Sequence, residues 1–234
     1  MKNVFLETQN VMKFREAADV MSDIEKGQPG LAIVYGRAGR GKTECAREFA
    51  VRTGALYIRV MEDWTPRAML SALCFEINGS RPHSVERSKN FLFTMLEKEQ
   101  RIILVDEADR FKNAGMIEHF RDIHDMTGVP VILIGEQSLY AKVSAKRRLW
   151  SRITQTVEFG PIATEDIMLF GMKSAELKIA PDAAKALGKR SEGDFRLIWQ
   201  DVRSLESMAR AEGTNKINTG MVKQLKSRKP SPTR

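Results

Sequence analysis

The chain has 234 residues, of which 42% are hydrophobic and 29% charged, so a substantial core is possible. A formal net charge of +8 favours an acidic partner, most often nucleic acid. The two cysteines, Cys45 and Cys74, form no CxxC or His/Cys cluster, which argues against a metal–thiolate site, and no apolar run approaches the ~20 residues that cross a bilayer.

Residues 1–29 read as partly helical and lack a charged-then-apolar signal pattern, so a soluble, cytoplasmic protein without membrane contact is expected. Five short apolar runs then read as buried strands: Leu31–Tyr35, Leu56–Val60, Ile102–Asp106, Val131–Ile134 and Thr154–Phe159. Helical stretches separate them at Lys42–Thr53, Pro66–Ile77, Val85–Glu99 and Ala114–Thr127. This alternation predicts an α/β fold with a parallel sheet and right-handed crossovers. From Thr164 to Leu225 the signals are purely helical, with starts at Thr164, Pro181, Asp194 and Asn218. The expected organisation is a nucleotide-binding core over 1–160, a small helical domain over 161–225 and a basic, disordered tail over 226–234.

Between the first strand and the first long helix lie Gly36, Arg37, Ala38, Gly39, Arg40, Gly41, Lys42 and Thr43. Glycines there leave room for phosphate oxygens, and the amides point into one concavity at the positive end of the helix that begins near Glu44. Lys42 supplies a point charge for the β- and γ-phosphates, and the Thr43 hydroxyl is an oxygen ligand suited to Mg²⁺. The segment is a phosphate-binding loop between strand and helix, and it implies ATP with Mg²⁺.

The third strand ends in Asp106 and Glu107. Asp106 sits where it would hold Mg²⁺ through water, and Glu107 where it would polarise the attacking water as general base. Arg152, before the fifth strand, is placed to project into a neighbouring subunit's nucleotide, and Arg196 to sense the γ-phosphate. Residue type alone would make Arg152 a surface arginine.

Together, Gly36–Thr43, the Ile103–Asp109 run, Ser151-Arg152-Ile153 and Gly193-Asp194-Phe195-Arg196 resemble an AAA+ ATPase over nearly the whole chain. Asp106–Arg110 with Tyr57-Ile58-Arg59 narrows the resemblance to the transposition ATPases of the phage Mu protein B, TnsC and IstB type. That resemblance implies a five-stranded AAA+ core with a helical lid. It also implies ATP-dependent filaments or rings on duplex DNA, without sequence preference, and recruitment of a transposase. By the same resemblance Lys42, Glu107 and Arg152 are catalytic, Thr43 and Asp106 hold Mg²⁺, and Arg196 is the second sensor. The fourth strand should lead into a neutral polar sensor, yet Glu136-Gln137 follows it. A carboxylate beside the γ-phosphate would be repelled, so either Gln137 takes the role, or Glu136 turns away, or hydrolysis is slow. DNA contacts are implied for the loops 61–67 and 79–89, through Trp64, Thr65, Arg67, Arg81, His83, Arg87 and Lys89. Lys146, Arg147 and Arg148 suit a subunit interface or a solvated face equally. A helicase-loader-type ATPase and a nucleotide-gated scaffold with negligible turnover are the competing functional readings.

Overall fold

In the computed structural model, which describes residues 1–2, 4–24, 27–112 and 114–226, five parallel strands form the centre of the larger unit. They are β1 (Leu31–Tyr35), β2 (Leu56–Arg59), β3 (Ile103–Asp106), β4 (Val131–Gly135) and β5 (Ile153–Glu158), in the spatial order β2-β3-β4-β1-β5. Alternation along a strand sends successive side chains to opposite faces, and here both faces are apolar. Leu31, Ile33, Val105, Val131 and Leu133 pack on one side. Ala32, Val34, Leu104, Ile132 and Ile134 pack on the other.

The second face is covered by α1 (Gln9–Ser22) and α2 (Lys42–Thr53), where Phe14 meets Phe49 edge-on at 5.3 Å. The first face receives α3 (Pro66–Asn78), α4 (Val85–Lys98), α5 (Gly115–Thr127), α6 (Gln137–Ser144) and α7 (Arg147–Trp150). Local signals set several of these ends. Thr65 accepts a hydrogen bond from Ala68 N, and Pro66 occupies the first turn of α3. Ser84 accepts one from Arg87 N at the start of α4. Gly54, Gly79 and Gly128 end α2, α3 and α5 in left-handed conformations.

The chain divides into two compact units, Asn10–Phe159 and a second made of Met1–Gln9 with Gly160–Arg234. Residues 1–9 thus group with the C-terminal unit rather than with the core, because Leu6 is buried in that unit's cluster and Lys2 N donates to Ser174 O at 2.6 Å. The C-terminal unit contains α8 (Thr164–Ala175), α9 (Pro181–Ser191), α10 (Phe195–Ala211) and α11 (Thr219–Gln224) around Ile167, Phe170, Leu187, Ile198 and Leu205. The expectation of a purely helical segment is corrected there. Two residues after α8, β6 (Lys178–Ile179), pair in parallel with β7 (Lys216–Ile217). A ladder this short has no room for a period-2 pattern, so Ile179 and Ile217 resemble helix-flanking apolar residues in sequence. The expected basic tail, apart from Lys226, lies outside the described residues. Among the described residues, no helix is long and apolar enough to cross a membrane.

Candidate nucleotide and DNA sites

β1 ends at Tyr35, and the chain turns at once into the loop Gly36–Thr43 and then into α2. Gly36 has φ 152°, and a Cβ on it would stand 2.5 Å from the Phe159 carbonyl oxygen, so a side chain is excluded by both conformation and space. Gly41 caps α2 with φ 89°. The loop holds its own lysine inward: Lys42 Nζ donates to Gly36 O at 2.7 Å and to Arg37 O at 3.0 Å. Burial lowers the Lys42 pKa from its ordinary 10.5, and Glu136, Asp109, Asp106 and Glu107 oppose that shift in this order.

The strand order places β3 beside β4, and β4 beside β1. Asp106, at the end of β3, is buried and faces the loop. Its Oδ2 accepts from Thr43 Oγ1 at 3.0 Å and from the Tyr57 hydroxyl at 2.8 Å, and its Oδ1 accepts from Glu107 N at 3.0 Å. Thr43 and Asp106 supply hard oxygens beside a cradle of amides and one ammonium, which suits a magnesium triphosphate. When bound, Mg²⁺ would neutralise phosphate charge. Thr43 and Asp106 would hold it, and Lys42 would meet the phosphates.

Glu107, which precedes the 3₁₀ turn Ala108–Arg110, has φ 58°, a left-handed conformation, and its carboxylate is doubly paired. Arg59 Nη2 reaches Oε1 at 3.0 Å from the end of β2, and Arg110 Nε reaches Oε2 at 3.0 Å from the following turn. The Arg59↔Asp106 register explains the first contact, since it sets Arg59 beside the carboxylate pair. Neither arginine was assigned a role from sequence. The usable signal was the alternation of β2, where Leu56 and Ile58 are buried while Tyr57 and Arg59 are half-buried.

The Tyr35↔Gly135 register carries Glu136 to the level of Gly36. Asp109 Oδ1 accepts from Glu136 N at 3.0 Å, which anchors this backbone, whereas Gln137 starts α6 with an exposed side chain. Lys142 on α6 donates to Asp109 O at 2.7 Å and also to Phe111 O. Glu44 pairs with Arg47 at 3.5 Å, and Arg37 and Ala38 are exposed on the loop. Arg152 is in contact within its own unit, with Nε 3.1 Å from Asp125 Oδ1. Arg196 belongs to the C-terminal unit, where it pairs with Asp194 Oδ2 at 3.0 Å. Lys146, Arg147 and Arg148 are exposed beside Trp150.

Five of the seven residues expected to meet DNA come together. Trp64, Thr65, Arg67, Arg81 and His83 line one groove of about 540 Å³ beside α3. Arg81 stacks 4.1 Å above the ring centroid of the exposed Phe75. Trp64 is only partly buried and packs against the core below. Arg87 is exposed on the first turn of α4, whereas Lys89 is drawn into an internal pair with Asp122 at 2.7 Å.

A family described as "AAA domain" matches residues 24–143. The "ATP-dependent target DNA activator B" of Escherichia phage Mu is 24% identical over 94% of this chain and 72% of its own length. Its counterpart in Escherichia phage D108 is 26% identical over 84% of this chain and 60% of its own length. The fold is shared with Cdc6p of Pyrobaculum aerophilum, at a TM-score of 0.68 and 16% identity, over 92% of this chain and 66% of that one. The chain therefore belongs to the AAA domain family, and within it resembles the transposition ATPases of the phage Mu B type.

Proposed function

We propose that this chain is an ATPase that binds duplex DNA without sequence preference, assembles on it in filaments or rings, and presents it to a transposase. The relatives named for ATP-dependent activation of target DNA support an ATP-dependent action on DNA. The observation that carries the reading is one continuous path. The Thr43–Asp106 contact supports a magnesium nucleotide site, and Glu107 next to it is held by Arg59. The short run 60–63 then leads from Arg59 to the groove at Trp64 and Arg67.

In this mechanism the loop amides and Lys42 bind the phosphates, and Thr43 with Asp106 orients the cation. Glu107 orients the attacking water once its carboxylate leaves Arg59 and Arg110. Arg67 and Arg81 meet DNA phosphates, which provides affinity without reading bases. Arg152, on release from Asp125, would serve the nucleotide of an adjacent copy.

A second reading keeps the nucleotide as a switch with negligible turnover. The double ion pair on Glu107 and the carboxylate of Glu136 beside the loop favour it. Phosphate release with and without duplex DNA separates the two. Turnover stimulated by DNA and abolished in Glu107→Gln supports the ATPase. Equal release by the wild type and Glu107→Gln would remove Glu107 from the chemistry.

A further inference from the structure

Asp106 is held on the side of β2 by a contact that the proposed chemistry does not use. The Tyr57 hydroxyl lies 2.8 Å from Asp106 Oδ2, the same oxygen that Thr43 Oγ1 approaches at 3.0 Å. Behind it, the Arg47 guanidinium lies 6.0 Å from the Tyr57 ring centroid.

The direction of each proton follows from the groups themselves. A carboxylate only accepts. The single proton of the Tyr57 hydroxyl therefore points to Asp106. The Thr43 proton also points to Asp106, which leaves the Thr43 lone pairs free. Oδ1 is committed to Glu107 N at 3.0 Å, so both oxygens of the carboxylate are fixed. A carboxylate with one donor fewer turns more freely, and the hydroxyl it orients turns with it.

We infer that Tyr57, backed by Arg47, is a positioning residue for the divalent cation of the nucleotide site. It holds Asp106 in the rotamer that keeps the Thr43 oxygen available to the metal. The inference rests on the magnesium–ATP reading above. A merely structural tyrosine on β2 would affect stability when its hydroxyl is removed, and leave metal affinity untouched.

The test uses Mn²⁺ as probe, counted by electron paramagnetic resonance on the full chain with a non-hydrolysable ATP analogue. Tyr57→Phe is expected to weaken Mn²⁺ binding about tenfold, as removal of an outer-shell partner does. Affinity for the analogue in chelator should change less than about twofold, since the phosphate amides are untouched. A folded Tyr57→Phe protein with unchanged Mn²⁺ affinity overturns the inference. Wild-type protein that binds the analogue yet takes up no Mn²⁺ overturns the metal reading as well, which distinguishes the two failures. Arg47→Gln, at an exposed position on α2, provides the second variant. It should weaken Mn²⁺ in the same direction by about threefold, because it removes the cation beside the Tyr57 ring without removing the hydroxyl proton. Should Tyr57→Phe fail to fold, unchanged Mn²⁺ affinity in Arg47→Gln overturns the brace.

Discussion

Glu107 and Lys42 are neighbours whose charges are handled in opposite ways. Glu107 is half-buried and satisfied by two arginines in a backbone conformation that a residue with a side chain adopts at a cost. Partly exposed pairs of this kind contribute ~0.2–1 kcal/mol, so freeing the carboxylate from one of them should alter turnover by at most about fivefold. Arg59→Ala is therefore expected to raise phosphate release without DNA by up to that factor and to shrink the stimulation by DNA. A fall in basal turnover would show that Arg59 assists Glu107 rather than restraining it. Burial lowers the Lys42 pKa, so its charge is lost at a lower pH than the ordinary 10.5. The desolvation cost of the ammonium is present below the folded pKa and is relieved as pH rises towards 10.5. Stability from this group rises over that window while the phosphates lose their counter-charge. Calorimetric ATP titrations should thus show affinity falling with pH before 10.5, with the fall suppressed in Lys42→Arg. Affinity that stays flat up to 10.5 would place the lysine away from the phosphates.

At the scale of elements, α6 is tied to the turn after β3 by a single ammonium. Lys142 donates to the carbonyls of Asp109 and Phe111, while Asp109 in turn receives Glu136 N. Lys142→Met leaves two carbonyls without that donor and should lower unfolding free energy by ~1–3 kcal/mol. Thermal unfolding of the variant reads this, and an unchanged midpoint would mean that water replaces the ammonium. These links also mark where sequence reasoning stopped. The strands and the helices Lys42–Thr53 and Pro66–Asn78 were legible because their apolar spacing and turn residues are local. Asp106, Glu107 and the loop were legible because the chemistry needs those residue types at strand ends. Arg59, Tyr57 and Asp109 gain their partners only through strand register and order, which no local pattern records. The same holds for Lys89, which looks like a DNA contact in sequence but reaches Asp122 across two helices.

For the whole molecule, the excess of +8 is unevenly useful. Several cations are already paired internally, while Arg67 and Arg81 share a groove with Trp64 and His83. Each phosphate contact adds ~0.9 to the slope of log affinity against log salt. Replacing both Arg67 and Arg81 by alanine should reduce that slope by about 1.8, whereas Lys89→Ala should leave it unchanged. Equal effects from the two changes would indicate a diffuse field rather than a groove. The nucleotide loop and the groove both lie within the unit Asn10–Phe159, so the proposed coupling of nucleotide to DNA runs inside that unit. The most direct measurement of that coupling is the fluorescence anisotropy of a labelled random-sequence duplex, titrated with the full chain with and without a non-hydrolysable ATP analogue. Tight, salt-sensitive binding only with the analogue is the result predicted. Equally tight binding by the nucleotide-free chain would contradict it.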